Sequence, residues 1–113
     1  MEDHIIKKYI PMTETTYYSL LAVIQPRHGY AIMKFVSELT DGRIQLGTGT
    51  LYTMVGRLTA DGIISIEANE EGKKTYRITA EGLALLQQET KRLECQLRDG
   101  RKMLGDKGGV CGV

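Results

Sequence analysis

Hydroxyl groups and a guanidinium share one side of a predicted helix between residues 46 and 58. Thr50, Thr53 and Arg57 recur there at helical spacing. The other side carries apolar residues in the i, i+3, i+4, i+7 pattern of a buried stripe, namely Leu51, Met54, Val55 and Leu58. Hydroxyls, guanidinium groups and the amides of a helix N-terminus donate hydrogen bonds to phosphate oxygens, and small side chains reach base edges in a groove. The stretch therefore predicts a DNA recognition helix, with an ordinary amphipathic helix as the alternative.

The sequence supplies little material for catalysis or cofactor binding. Gly47 and Gly49 match part of a dinucleotide-binding fingerprint, but the third glycine, the βαβ unit and the acidic partner of that motif are missing. His4 and His28 are the only imidazoles, and no Ser or Cys has the setting of a nucleophile. We therefore predict that the chain is not an enzyme and needs no cofactor, and that His28 has a structural role beside a helix start.

The length and charge of the chain restrict how it could bind DNA. Its 113 residues suffice for one domain with a modest core. The 15 Lys and Arg are balanced by 14 Asp and Glu, so the net charge of +1 gives no general attraction to phosphates. DNA contact must then come from local clusters of positive charge. The candidates are Lys34, Arg43, Arg57, Lys73, Lys74 and Arg77.

The sequence predicts neither a membrane segment nor a metal site. No apolar run approaches the roughly 20 residues that a membrane helix needs, and the N-terminus lacks the apolar region of an export signal. Cys95 and Cys111 are too few for a disulfide framework and lack the paired spacing of a zinc site. We therefore expect a cytoplasmic protein with reduced thiols.

Three helices are predicted to position the polar side chains. An arm at residues 1–12 precedes them. Thr13 is a suitable N-cap for the first helix, which Pro26 ends. The second helix begins near Gly29 and ends where Gly42 can adopt a left-handed backbone conformation. The DNA recognition helix is the third.

Alternating residues predict short strands around the third helix. Residues 43–46 alternate before it, and residues 64–68 and 75–78 form a hairpin with a turn at residues 69–72. In the first hairpin strand, one side is shared by Ile64, Ile66 and Ala68. Helix, helix, strand, helix and hairpin follow in the order of a winged helix-turn-helix. The predicted fold class is therefore mainly α with a small β-hairpin.

A long C-terminal helix is predicted at residues 80–104, with Thr79 as its N-cap. Apolar residues recur along one seam of this helix, namely Leu86, Leu93, Leu97 and Leu104. Because the preceding head is too small to cover the whole seam, a second copy is the simplest partner. We assign residues 1–79 to a DNA-binding head, 80–104 to a dimerisation helix and 105–113 to a disordered tail.

Several motifs in the same order resemble the PadR family of bacterial transcriptional regulators, from Met12 to about Leu104. The stretches that carry the resemblance are Met12–Tyr18, His28–Ile32, Gly49–Tyr52, Arg57–Leu58, Asp61–Ile64 and Tyr76–Gly82. The single C-terminal helix resembles the short subfamily, whose members are dimers and include multidrug-sensing repressors. The resemblance implies a third helix that enters the major groove and a hairpin that reaches over the backbone or minor groove.

The resemblance also makes Tyr18 and Tyr30 candidate contacts to the DNA backbone. Together with the third helix and the hairpin, it gives the expected DNA-binding residues: Tyr18, Tyr30, Lys34, Thr48, Gly49, Thr50, Tyr52, Thr53, Arg57, Lys73, Lys74 and Arg77. We predict a homodimeric repressor that binds a palindromic operator in double-stranded DNA; release by a small-molecule inducer is left open. The low net charge leaves a winged-helix protein interaction module without an operator as the alternative.

Departures from the family pattern change part of this expectation. Thr48 stands where the family often has Pro, which removes rigidity but adds a hydroxyl. Glu70 and Glu71 at the wing tip repel phosphates and argue against deep insertion into a minor groove. No aromatic residue follows Tyr76, so a stacking drug pocket is not expected. We expect an inducer to bind between the two copies against aliphatic and sulfur side chains such as Leu93, Leu97 and Met103.

Overall fold

Five helices and three strands make up residues 3–105, the part of the chain that the computed structural model describes. They are α1 (Asp3–Tyr9), α2 (Glu14–Ala22), β1 (Arg27–His28), α3 (Gly29–Leu39), α4 (Thr48–Ala60), β2 (Ile64–Glu70), β3 (Lys73–Ile78) and α5 (Ala80–Leu104). The predicted fold class, a mainly helical winged helix-turn-helix with a hairpin and a long last helix, is confirmed. Within the described range, no helix combines the length and apolar character needed to cross a membrane.

Side chains at three helix starts explain where the helices begin. In each case the side chain accepts a hydrogen bond from the amide three residues later, which has no partner inside the helix. The distances are 3.2 Å for Thr13 Oγ1, 3.3 Å for His28 Nδ1 and 3.0 Å for Thr79 Oγ1. The predicted caps at Thr13 and Thr79 and the structural role of His28 are therefore confirmed.

A short strand outside the hairpin completes the sheet at a place that the sequence did not indicate. β1 pairs antiparallel with β3 and gives the order β1-β3-β2. The strand predicted at residues 43–46 is wrong, because the Thr40 hydroxyl binds the backbone of Ile44 instead. It accepts from the Ile44 amide at 3.0 Å, while its own proton is donated to the Val36 carbonyl at 2.8 Å. These bonds curl the chain after α3 and compete with strand pairing.

The hairpin turns at Glu71 and Gly72 alone, so its strands are longer than predicted. Both turn residues have positive φ, 52° and 79°, which suits the twist of a two-residue hairpin turn. A bulge lies between Ile66 and Ala68. A bulge breaks the period-two alternation of the strand. Ile64 and Ile66 therefore share one side, but Ala68 does not, although the sequence predicted one side for all three.

The N-terminal segment is a helix rather than the predicted arm, since α1 spans Asp3–Tyr9. Tyr9 is 4% exposed, and Ile5 and Ile6 pack against the core. A helix of two turns is too short to show a clear 3.6-residue period in the sequence. Its mixture of charged and apolar residues therefore resembled an irregular arm.

The core lies between the apolar stripes of α2, α3 and α4 and the first turns of α5. Fully buried side chains from these elements and from the loop before β2 include Leu20, Ile32, Leu51, Leu58, Ile63 and Leu85. The start of α5 comes close to the head because Gly82 faces the carbonyl of Ile63, where any Cβ would collide. The close approach brings the long helix into the core.

α5 ends at Leu104 as predicted, but only its first half packs on the head. Leu85 and Leu86 are 0% and 3% exposed, whereas Leu97 and Leu104 are 53% and 84% exposed. Leu86 is thus a core residue of the head, which corrects its predicted role in a seam with a second copy. Of the predicted disordered tail, residues 106–113 lie outside the described residues.

A buried carboxylate joins α5 to the segment before α2. Glu89 is 1% exposed, and its Oε2 accepts a hydrogen bond from the Met12 amide at 2.8 Å. Arg92 donates to both carboxylate oxygens, at 2.6 and 3.0 Å. The bonds from Arg92, and then that from Met12, lower the pKa of Glu89 because they stabilise the charged form.

Candidate nucleic-acid interface

The polar side of α4 is open along its length. Thr50, Thr53 and Arg57 are exposed, whereas the four residues of the apolar stripe are at most 5% exposed. The stripe packs against the core and therefore turns the hydroxyls and the guanidinium outward. The orientation predicted from the sequence is confirmed.

The first turn of α4 has donors without a side-chain cap. Its N-cap residue is Gly47, which has no side chain that could bond to the first amides of the helix. Thr48 and Gly49 follow and are exposed. The first amides of a helix have no partner inside it and carry partial positive charge, so this turn could bind a phosphate oxygen.

A groove of about 530 Å³ lies between the start of α2 and the polar side of α4; we call it the α2–α4 groove. Its lining consists mainly of hydroxyl-bearing residues, namely Thr13, Thr15, Thr16, Gly49, Thr50, Thr53, Met54 and Arg57. Sequence reasoning did not include Thr13 and Thr15 among the site residues. A signal was present, because Thr hydroxyls at the start of the helix that supports the recognition helix are well placed to meet DNA phosphates.

A second cleft, of about 400 Å³, lies between the starts of α3 and α4 and the hairpin; we call it the wing cleft. It brings together four predicted DNA-binding residues from three elements: Tyr30, Tyr52, Lys73 and Lys74. Gly29 is essential to this arrangement, because a Cβ there would lie 2.5 Å from the Tyr52 hydroxyl. Two phenols and two ammonium groups thus share one concave surface, which suits an anionic backbone.

Apart from Thr48, which lies in the first turn of α4, three predicted contacts lie outside both clefts. Tyr18 lines a separate cleft beside α3 and accepts a hydrogen bond from Arg43 at 2.8 Å. Arg77 forms an ion pair with Glu67 at 3.2 Å. Lys34 is exposed on α3. The fold therefore gathers most of the predicted residues around α4 but does not place these three with them.

The Arg57 side chain contacts the N-terminal helix, a neighbour that the sequence did not indicate. Its guanidinium lies 5.5 Å from the centroid of the Tyr9 ring. The Tyr9 hydroxyl donates to Asp61 at 2.5 Å, and Lys8 pairs with the same carboxylate at 2.7 Å. Burial, reinforced by Asp61, raises the pKa of Tyr9 to about 12. The hydrogen bonds from Lys8 and then Tyr9 lower the pKa of Asp61, so the phenol stays protonated and the carboxylate charged.

No group of three or more His, Cys, Asp or Glu side chains in residues 3–105 is placed to hold a metal ion. Cys95 is exposed on α5 and forms no disulfide.

Comparison with known sequences identifies relatives of this chain. The model of the "Transcriptional regulator PadR-like family" matches residues 19–88, more than half of the chain. The transcriptional regulator YqjI of Escherichia coli is 30% identical over 67 residues, and this match covers 59% of the chain and 32% of that protein. The chain thus spans about a third of the length of this relative.

Solved structures agree in fold over most of the chain. A transcriptional regulator from Clostridium thermocellum is 28% identical with a TM-score of 0.66, and the match covers 90% of this chain and 96% of that one. A PadR family transcriptional regulator from Eggerthella lenta is also 28% identical, with a TM-score of 0.64 and coverage of 93% and 88%. The family match over more than half of the chain, together with the winged-helix fold, shows that this chain belongs to the PadR-like family of transcriptional regulators.

Proposed function

We propose that this chain acts in the cytoplasm as a homodimeric repressor that binds a palindromic operator through α4 and the hairpin. The observation that carries the proposal is the open side of α4. Thr50, Thr53 and Arg57 face outward there and line the α2–α4 groove, and the wing cleft supplies further donors. A B-DNA major groove is about 12 Å wide and admits one helix with such small side chains. A helix seated there would bring both clefts toward the flanking phosphates.

The residues divide into base readers and backbone anchors. We assign base reading to Thr53 and Arg57, because a hydroxyl serves several base edges and a guanidinium can bind guanine with two hydrogen bonds. Thr50 and the first amides of α4 bind phosphate, with help from Thr13 and Thr15 across the α2–α4 groove. This division gives each group a distinct effect on affinity and on sequence preference.

The wing follows the DNA backbone in this proposal rather than entering the minor groove. Glu70 and Glu71 lie at its tip, and Glu70 is opposite Lys73 in the register of the two strands. Lys73 and Lys74 are exposed and line the wing cleft beside Tyr30. The lysines can therefore bind phosphates from the side while the acidic tip stays away from them.

The second half of α5 joins two copies in this proposal. Leu93 is half-buried, and Leu97 and Leu104 are 53% and 84% exposed, on a helix that extends beyond its own head. An apolar seam of this kind is typically covered by a symmetric partner helix. A two-fold dimer would present two copies of α4 to half-sites about 34 Å apart.

An inducer would bind beside this seam. A groove of about 610 Å³ between α2 and α5 is lined by Leu21, Ile24, Leu83 and Leu86, together with polar residues of α5. α5 contains no aromatic residue to stack on a planar drug. We therefore expect modest affinity, and calorimetry that measured tight, enthalpy-driven binding of planar aromatic compounds would contradict this part of the proposal.

Salt dependence tests operator binding directly. Fragments of the source genome that the protein selects should bind about a thousandfold or more weakly at 200 mM than at 50 mM salt if the dimer makes about 6 to 10 phosphate contacts. Affinity that ignored salt would contradict the assignment. If no fragment were selected over random DNA, the winged-helix protein interaction module would be the better description.

Paired variants separate anchors from readers. Replacing Lys73 and Lys74 with Ala should weaken all DNA sequences about equally and reduce the salt slope by about 2 per head. Thr53→Ala or Arg57→Ala should instead change which sequence is preferred. Lys7→Ala is the matched control, because this exposed lysine of α1 lines neither cleft. Equal effects of the two sets would overturn the division into anchors and readers.

A further inference from the structure

The N-terminal helix α1 contacts the far end of α4, although it is not part of the helix-turn-helix. Tyr9, the last residue of α1, is 4% exposed, and its hydroxyl donates to Asp61 at 2.5 Å. Asp61 is the C-cap residue of α4. The Lys8 ammonium pairs with the same carboxylate at 2.7 Å. Two consecutive residues of α1 thus hold one end of the recognition helix.

Arg57 lies one turn before Asp61 on α4, and its guanidinium sits 5.5 Å from the centroid of the Tyr9 ring. A guanidinium within about 6 Å of an aromatic face is attracted to it. Arg57 is a long, exposed side chain with many rotamers, and the Tyr9 hydroxyl and the Asp61 carboxylate also attract its guanidinium. Since burial and the Asp61 bond hold the ring, the ring restricts the directions that Arg57 can take.

The segment that carries Tyr9 is held at a second point. The Met12 amide donates to Glu89 of α5 at 2.8 Å, and Glu89 is 1% exposed and bonded to Arg92. Residues 9–12 are therefore anchored to α4 at one end and to α5 at the other. The position of the ring follows from the packed head rather than from a loose terminus.

We propose that Tyr9 is a positioning residue for operator reading: its ring sets the direction of Arg57, and α1 is thereby part of the recognition apparatus. This inference rests on the proposed role of Arg57 as a base reader. Tyr9 itself touches no base. Its effect should appear as a loss of base preference at the operator position that Arg57 reads, and nowhere else.

A double-mutant cycle tests the inference on the full-length protein. Tyr9→Leu keeps an apolar side chain at the buried position and removes the ring, and Arg57→Ala removes the reader. Affinities are measured for a selected operator duplex and for its single-base variants. Arg57→Ala should lower the preference at one position by about 5- to 150-fold. Tyr9→Leu should lower the preference at the same position by about threefold or more, and should add nothing in the Arg57→Ala background.

Two further variants separate positioning from folding. Tyr9→Phe keeps the ring but loses the bond to Asp61, so it should retain more of the preference than Tyr9→Leu, whereas Lys7→Ala on the exposed side of α1 is the matched control and should change nothing. If Tyr9→Leu unfolds the head, Asp61→Asn weakens the anchor of the ring without changing the buried side chain, and should reduce the preference at the same position. A Tyr9→Leu effect that is equal for all sequences, or that persists in full without Arg57, would overturn the inference alone. An Arg57→Ala variant with unchanged base preference would overturn the reader role as well.

Discussion

Replacing Leu97 with Ala tests whether the second half of α5 joins two copies, and Leu86→Ala is the matched control on the same helix. Leu97 is 53% exposed in the chain by itself, whereas Leu86 is 3% exposed. The same chemical change should therefore act on association at one position and on folding at the other. Leu97 is preferred to Leu93 because Leu93 is half-buried against its own chain.

The size of the Leu97 effect follows from its exposed fraction. Full removal of a Leu side chain from water is worth about 1.5 to 3 kcal/mol, so covering the exposed 53% is worth about 0.8 to 1.6 kcal/mol per copy. A two-fold interface contains the residue twice, which gives about 1.6 to 3.2 kcal/mol. Because Ala retains part of this area, we expect the dimer dissociation constant to rise roughly 10- to 100-fold.

Sedimentation over a range of protein concentrations measures this change. Leu97→Ala should dissociate at higher concentration than the parent while its helical circular dichroism stays the same. Leu86→Ala should instead lower the free energy of unfolding by about 2 to 5 kcal/mol, because it leaves a cavity in the core. At concentrations where the variant is monomeric, operator affinity should fall, since one head makes half of the phosphate contacts. An unchanged dissociation constant for Leu97→Ala, or a monomer that binds as tightly as the parent, would refute the reasoning.

Other substitutions test the packing that supports the site. The folded-state pKa of Glu89 is below its usual value of 4.5, so the stabilisation from its bonds is present above that pH and is lost as the pH falls through the lower folded value. Glu89→Gln should have a smaller free energy of unfolding in urea at pH 7 than the parent. Between pH 7 and pH 3, its free energy of unfolding should fall less than that of the parent. An equal fall for the two proteins would contradict this. Gly82→Ala should cost about 1 to 3 kcal/mol of stability in thermal unfolding, because the new Cβ meets the backbone carbonyl of Ile63, and an unchanged melting temperature would be inconsistent with that contact. Gly29→Ala should leave stability nearly unchanged, because the half-exposed Tyr52 ring can move away, but should weaken DNA binding at all sequences; a strong loss of stability would contradict it.

Local patterns predicted α2 to α5 and the hairpin because their signals lie within a few residues of one another. Thr13 and Thr79 cap helices through the amide three residues later, so the pattern and the hydrogen bond coincide in the sequence. The stripe from Leu51 to Leu58 became the buried side of α4, which is what made the orientation of Thr53 predictable. Where a local bond competed, as at Thr40, the alternation that predicted a strand was misleading.

Contacts between distant parts of the chain were not predictable in this way. Tyr9 and Asp61 are separated by 52 positions, and Met12 and Glu89 by 77. Neither contact produces a periodic pattern in the sequence, because each depends on how the N-terminal segment packs against helices that lie far away in the chain. Leu86 shows the same limit, since one leucine seam runs along α5 and only the packed head separates its buried part from its exposed part.

The sequence by itself determined the order of α2 to α5 and the hairpin, the winged-helix class and the polar side of α4, because periodicity and capping act over one or two turns. The tertiary structure alone decided which donors share a cleft, placing Tyr30 and Tyr52 beside Lys73 and Lys74, and Thr13 and Thr15 beside Thr53. It also decided that Arg57 rests on Tyr9. The physical reason is that such neighbours arise from the close packing of whole elements, which depends on side-chain volumes and on Gly29 and Gly82 where elements touch.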